Sequence, residues 1–404
     1  MKAKTGIWLI GACGNVAALT IVGARAIAHG LAGRTGMVTE LKELRELALL
    51  PVEEMVFGGH EISGRTVLEA SREFGRRAGV LSDRLLDALA PDLEEIQREI
   101  RPGFHGRPVH SLDSAGRHAE SPTQVVAAIQ ADLLDFKGRH GLADVVVVNV
   151  ASTEQQPEER REWESLTRLR EALDDDRGEA FTPSLLYAYA ALDLGCPYVN
   201  FTPSTGSSIP ALDELARARG TVHTGRDGKT GETLVKTTLA PLFAFRNLRV
   251  HAWEGYNMLG NPDGEALRDP KALSAKSTSK DRSLKAILGD MGGHSSVHID
   301  FVPSLDDWKV AFDYIHFEGF LGAKMVMQFT WQGCDSALAA PLVLDLARLA
   351  ALSHARGETG ALDHCACFFK DPYGVEVHAF SEQFELLRDY VTRVGLDQAR
   401  VRTA

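Results

Sequence analysis

Cysteine is scarce: five in 404 residues, at Cys13, Cys196, Cys334, Cys365 and Cys367. An odd, widely scattered set in a chain of this length is not a disulfide framework. The thiols read as buried side chains, and a reducing cytoplasm is the expected compartment. His364 precedes the Cys365-Ala366-Cys367 run, which reads as a strand. That spacing is not CxxC and has no second pair, so no metal site is expected. Basic charge is also short. The 44 Lys and Arg against 55 Asp and Glu leave a net charge of −11, the wrong sign for wrapping nucleic acid. No run approaches the ~18–20 uninterrupted apolar residues of a membrane span. Lys2 and Lys4 ahead of apolar residues imitate a secretion signal, but Gly11, Gly14, Asn15, Thr20 and Arg25 break the run. With 44% hydrophobic and 25% charged residues the chain is too apolar for disorder. Its length suits two or three domains around a large core.

What is present is an alternation of strands and helices. Residues 5–10 read as a buried strand, followed by Gly11-Ala12-Cys13-Gly14-Asn15 and then a helix over 16–29. Strand, glycine turn, helix is the order that sets a helix N-terminus against a pyrophosphate. A second strand over 52–57 runs into Gly58-Gly59-His60-Glu61, where a carboxylate can accept both ribose hydroxyls of a dinucleotide. A charged helix over 41–50 lies between them. Residues 67–100 have apolar spacing near 3.6 and read as one helix. Residues 125–136 form another and carry Gln130. Residues 144–149 (Asp-Val-Val-Val-Val-Asn) have the two-faced apolarity of a central parallel strand, and the loop after it holds Ala151, Ser152 and Thr153. A charge-dense helix is expected over 158–177. The β-loop-α alternation to about residue 225 predicts a doubly wound parallel sheet, whose ligands lie beyond the strands' carboxyl ends.

The second half holds the reactive side chains. A glycine-rich turn around Asp227 lacks P-loop spacing. The loop from Tyr256 to Gly264 is dense in amides and acid. Lys276 and Lys280 stand four apart, one helical turn, where like charges repel and an anion relieves them. Asp307 and Lys309 bring acid and base together, and Asp335 opens an apolar helix over 338–352.

These stretches resemble one family, the myo-inositol-1-phosphate synthases. Tyr256-Asn257-Met258-Leu259-Gly260-Asn261-Pro262-Asp263-Gly264 is similar to that family's YNHLGNNDG. Lys276-Ser277-Thr278-Ser279-Lys280 follows where its SKxxSK stands. Asp307-Trp308-Lys309-Val310-Ala311-Phe312-Asp313-Tyr314 is similar to DSKVAMDEY, and Cys334-Asp335-Ser336 falls where CEDS is expected. The resemblance runs in order from Gly11 to at least Leu352.

It implies an α/β architecture: a Rossmann-type NAD-binding domain over 1–232 and 339–404, with an inserted α+β catalytic and tetramerisation domain over 233–338. NAD contacts carry over to Gly11, Gly14, Asn15, Glu61, Gln130, Ala151, Ser152, Thr153, Thr202, Asp227, Asn261, Asp263, Asp307 and Asp335. Catalytic groups carry over to Lys276, Lys280 and Lys309, with Asp307 beside them. The implied partners are a small sugar phosphate and three further copies of the chain, with no nucleic acid and no membrane. The implied reaction turns glucose 6-phosphate into 1D-myo-inositol 3-phosphate by oxidation, enolisation, intramolecular aldol closure and re-reduction.

The chain departs from the family's patterns at several points. Its GxGGNNG reads Gly11-Ala12-Cys13-Gly14-Asn15-Val16-Ala17. Its GQTKLKS reads Gly231-Glu232-Thr233-Leu234-Val235-Lys236-Thr237, with Leu234 in place of a lysine. Its Asn-Lys-Gln falls on Ser381-Glu382-Gln383, with Lys370 the nearest substitute cation. These losses leave other readings open: a cyclase closing a five-membered carbocycle from fructose 6-phosphate, a sugar-phosphate dehydrogenase releasing NADH, or an NAD-binding module without catalysis.

Overall fold

Thr5–Ile10 forms β1 with every side chain buried, as a strand covered on both faces must be. In the computed structural model, which describes residues 4–104, 116–117, 121–154, 158–260, 284–289 and 292–403, β1 lies inside a seven-stranded sheet. Its neighbours are β2 (Met55–Glu61) and β4 (Asp144–Asn149). Beyond β2 lies β3 (Ile100–Pro102), and beyond β4 lie β5 (Tyr198–Asn200), β6 (Val222–Gly225) and β11 (Gly360–Ala361). All pairings are parallel. The chain winds outward from β1 to β3, crosses back, and winds the other way from β4. The direction changes between β1 and β4, where a crevice opens at the strands' carboxyl ends.

Alternate residues of β1 feed two cores. Ile7 and Leu9 join the side covered by α1 (Asn15–Ala28), α3 (Asp83–Gln97) and the long α9 (Asp335–Ala355). Trp8 and Ile10 join the side covered by α4 (Pro122–His140), α6 (Pro183–Asp193) and α7 (Pro210–Arg219). Each fully buried aliphatic side chain contributes roughly 1.5–3 kcal/mol.

The chain leaves this sheet after β6. It forms α8 (Gly231–Phe245) and then a second sheet, ordered β10-β9-β7-β8, from β7 (Arg249–Leu259), β8 (Gly292–Phe301), β9 (Trp308–Glu318) and β10 (Lys324–Cys334). Strands β7 and β8 are parallel, and β9 runs antiparallel to both its neighbours. Helix α8 covers one face through Ala240 and Phe243 against Trp253, Ile315 and Phe317. Helix α9 then returns the chain to the first sheet, and α10 (Phe380–Thr403) closes it.

Several expected boundaries move. The segment expected to be a helix over 41–50 is a series of turns. The second strand starts later than 52–57 and absorbs both glycines, so that Glu61 is its last residue. The single helix over 67–100 is two, α2 (Val67–Ala78) and α3, broken at Gly79. The charge-dense stretch over 158–177 is a short 3-10 turn, Arg161–Glu164, followed by α5 (Leu166–Asp174). Cys365 and Cys367 lie in a 3-10 helix, Asp363–Phe368, rather than a strand, and all five thiols are free and buried.

Candidate active site and cofactor crevice

The crevice is built from the loops that follow the strands. Gly11 turns the chain directly after β1 with φ +82, and a Cβ there would lie 2.7 Å from the Ala151 Cα in the loop after β4. Only glycine permits both the turn and this approach. Its N–H and that of Ala12 donate to the His60 carbonyl of β2 at 2.9 and 3.1 Å. Gly14 caps α1 with no side-chain hydrogen bond to the helix, so the first N–H groups of α1 face the crevice unclaimed by a side chain. Glu61 reaches the same loop: Oε2 accepts from Cys13 N at 2.7 Å, while Oε1 accepts from Ile62 N and Ser63 N at 2.7 and 2.8 Å. Backbone donors at a helix start, a close-approach glycine and an accepting carboxylate at the end of the second strand are the groups that a dinucleotide requires. The residues present fit NAD.

Ser152 and Thr153 are exposed in the loop after β4, beside Ala151. Thr202 follows β5. Its hydroxyl donates to Asn200 Oδ1 at 2.8 Å and accepts from Ser204 N at 3.2 Å, so it shapes its own loop. Asp227 follows β6, and Lys370 Nζ donates to its Oδ1 at 2.8 Å. Gln130 is not brought to these loops. It sits midway along α4, where its amide donates to Ala190 O at 3.4 Å and Asp193 Oδ2 at 3.1 Å and ties α4 to α6. Four expected residues, Asn261, Asp263, Lys276 and Lys280, lie outside the described residues.

The second sheet meets the crevice at the start of β9. Trp308 Nε1 donates to Ala78 O at 3.0 Å, fixing that start against the end of α2. Asp307, only 5% exposed, accepts from the Ser336 N and Oγ at 2.9 Å each, from Cys334 Sγ at 3.2 Å and from Asn15 Nδ2 at 3.3 Å. One carboxylate therefore joins the first residue of α1 to the first turn of α9. Burial pushes the Asp307 carboxyl above its ordinary range, against the pull of the hydrogen bonds it accepts. Lys309 Nζ lies 3.6 Å from Asp335 Oδ2, and Thr230 Oγ1 donates to Asp335 Oδ1 at 3.4 Å. The structure thus gathers Asn15, Asp307, Lys309 and Asp335 at one point.

Residues outside the expected contacts complete the setting. Glu154 caps α6 by accepting from Ser184 N and Oγ at 2.6 Å each, and it also receives the crevice loop through Glu154 N to Ser204 Oγ at 3.0 Å. Lys229, buried beside the turn, donates to Gln383 of α10, and burial brings its ammonium down to about 8. Glu382, where the resemblance puts a lysine, is exposed. Under the second sheet, Lys236 pairs with Glu232 at 2.6 Å and Asp313 at 3.3 Å, all three buried.

A family model described as myo-inositol-1-phosphate synthase matches residues 5–392. Among curated proteins, inositol-3-phosphate synthase 1 of Bacteroides thetaiotaomicron is 32% identical over 402 residues, covering 95% of this chain and 91% of that protein. Inositol-3-phosphate synthase of Trypanosoma brucei brucei is 30% identical over 392 residues, covering 87% and 73%. Among solved structures, inositol-3-phosphate synthase from Caenorhabditis elegans superposes with a TM-score of 0.86 at 24% identity, covering 97% of this chain and 86% of that one, a likeness of fold.

Proposed function

This chain belongs to the myo-inositol-1-phosphate synthase family, and from that premise we propose that it is an NAD-dependent enzyme converting D-glucose 6-phosphate into 1D-myo-inositol 3-phosphate. The observation that carries the reading is the join at Asp307. It puts Lys309 and Asp335 at the helix start where the dinucleotide crevice ends.

NAD, when bound, supplies the hydride acceptor for C5 of the open-chain sugar and returns the hydride after ring closure. The chain's residues handle protons and charge. Lys309 moves the proton of the C5 hydroxyl as that carbon becomes a ketone, which makes the C6 hydrogens acidic. Loss of a C6 proton gives an enolate that attacks the C1 aldehyde, and the new hydroxyl takes a proton. A fixed ammonium in a site shut off from water stabilises such developing negative charge. Lys276 and Lys280 are assigned the remaining charge, on phosphate and alkoxide. Asp307 holds Asn15 and Ser336 in register, and Asp335 orients the Lys309 ammonium.

Three finer readings belong with this one. The inserted sheet leaves one face uncovered by α8, bearing Tyr256, Phe312 and Tyr314, and that face suits assembly into a homotetramer. Five buried free thiols suit a reducing cytoplasm. The product serves inositol and phospholipid biosynthesis.

The test is incubation with NAD and glucose 6-phosphate, with fructose 6-phosphate in parallel, followed by product NMR and absorbance at 340 nm. The expected outcome is an inositol phosphate from glucose 6-phosphate with no net NADH. Steady accumulation of NADH, or a carbocycle formed only from fructose 6-phosphate, overturns the assignment.

A further inference from the structure

Beside Lys309, the inner face of the second sheet carries polar atoms that the fold leaves unused. The strand registers put Ala311 of β9 between Asn257 of β7 and Trp331 of β10, and put Gly333 opposite Lys309. A Cβ on Gly333 would lie 3.1 Å from Trp331 Nε1, so the indole edge lies over that glycine, on the sheet face that Asn257 and Ala311 share. Both amide atoms of Asn257, 1% exposed, lack a hydrogen-bond partner among the described residues, and so does the shielded Nε1 of Trp331. A buried polar group left unpaired costs about 1–3 kcal/mol. Deeper on the same face the sheet does pair its indole: Trp253 Nε1 donates to Asp313 Oδ1 at 2.7 Å. These unmet groups thus stand at the end of the sheet that holds the reactive lysine.

A second observation aims the Trp331 donor. Gly231, with φ +57, begins α8 across from β10. A Cβ on it would lie 3.5 Å from Asp335 Oδ1, 3.6 Å from Trp331 Nε1 and 3.9 Å from Lys309 Nζ. A carboxylate, an indole N–H and an ammonium converge on the place a side chain would fill.

We propose that Trp331 is a substrate-binding residue whose Nε1–H donates to the sugar oxygen that gains negative charge beside Lys309, with the Asn257 amide holding a hydroxyl on the same face of the sheet. This assignment rests on reading the site as that of a sugar-phosphate cyclase. An indole donates only and carries no charge. It adds a fixed dipole aimed at the developing oxyanion without lowering the basicity of the neighbouring lysine, as a second cation does.

The experiment uses the NAD-loaded full chain labelled with 15N in its tryptophan indoles, with Trp331→Phe identifying the Trp331 resonance. Glucitol 6-phosphate, an open-chain polyol phosphate with no carbonyl to cyclise, is the probe. The Trp331 indole signal should shift on saturation. In kinetics, Trp331→Phe should lower kcat by roughly tenfold to a hundredfold, with KM and NAD affinity within about twofold of the parent, as for loss of a donor used mainly in the transition state. An indole signal that stays put, or a Phe variant with unaltered kcat, overturns the proposal. A wild-type chain that turns over no sugar phosphate removes the assigned function instead, and the indole titration then still decides whether Trp331 touches the ligand.

Discussion

At the scale of single residues, the site is a set of exchanges between side chains far apart in sequence. Asp307 touches Asn15, 292 positions away, and Lys309 meets the first residue of α9. Lys309→Ala is expected to lower kcat by roughly 10²–10⁴-fold, the range of a lost proton-transfer group. NAD binding, followed by isothermal titration, should be unchanged, because the groups expected to hold the dinucleotide lie on the Gly11–Gly14 turn and on the Glu61 carboxylate. Turnover within a few-fold of the parent would remove the role given to Lys309. The family motif marked Lys309 in the sequence, and the structure sets its ammonium beside Asp335. Nothing in the sequence marked Trp331, whose indole N–H has no partner among the described residues. The resemblance carried Gln130 to the cofactor, whereas the structure ties its amide to α6.

At the scale of elements, β1, its glycine turn and α1 were readable because an apolar run, a glycine and a helical apolar stripe follow one another. The second strand was misread at its end. Gly58 and Gly59 look like a turn, but they lie within β2, where a Cβ on Gly58 would sit 2.9 Å from the Phe136 ring and one on Gly59 2.2 Å from Leu9 O. They permit close approach rather than reversal. The stretch over 41–50 has helical composition, yet α9 claims the backbone just before it and at its last residue. Asp345 accepts from Val38 N at 2.6 Å and Thr39 N at 3.1 Å, and Arg348 donates to Leu50 O at 2.9 Å. Tertiary bonds outweigh propensity here.

Element-scale electrostatics give a pH prediction. Lys229 joins the turn before α8 to α10 through Gln383, and burial lowers its pKa from 10.5 to about 8. Between those values the unfolded chain binds more protons at this position than the folded one. The stability contributed by Lys229 therefore rises with pH from about 8 to 10.5. Urea midpoints of the parent minus those of Lys229→Met should climb across that interval. A flat difference would show that the ammonium is not desolvated by folding.

At the scale of the whole molecule, the alternation of strands and helices made the doubly wound sheet legible, whereas the insertion was visible only through the motifs it carries. Its strands bury one face against α8 and leave the other half-buried. Phe312 and Tyr256 sit on that outer face with ring centroids 6.4 Å apart. Phe312→Asp, which puts a charge on the face assigned to assembly, should reduce the mass measured by light scattering below that of a tetramer while the far-ultraviolet dichroism of the fold is kept. An unchanged mass would move the assembly surface elsewhere.

The late return of the chain has a consequence for biosynthesis. The flank of the large sheet over β4, β5 and β6 is roofed by α9, residues Asp335–Ala355. Those residues leave the ribosome only after the whole insertion has been made. Until then the nascent nucleotide fold carries a bare strip of valines, Val146, Val148, Val199 and Val222. A polypeptide lengthening by some 5–20 residues each second holds that strip open for several seconds, an interval in which holdase chaperones have a binding surface that the finished protein no longer offers.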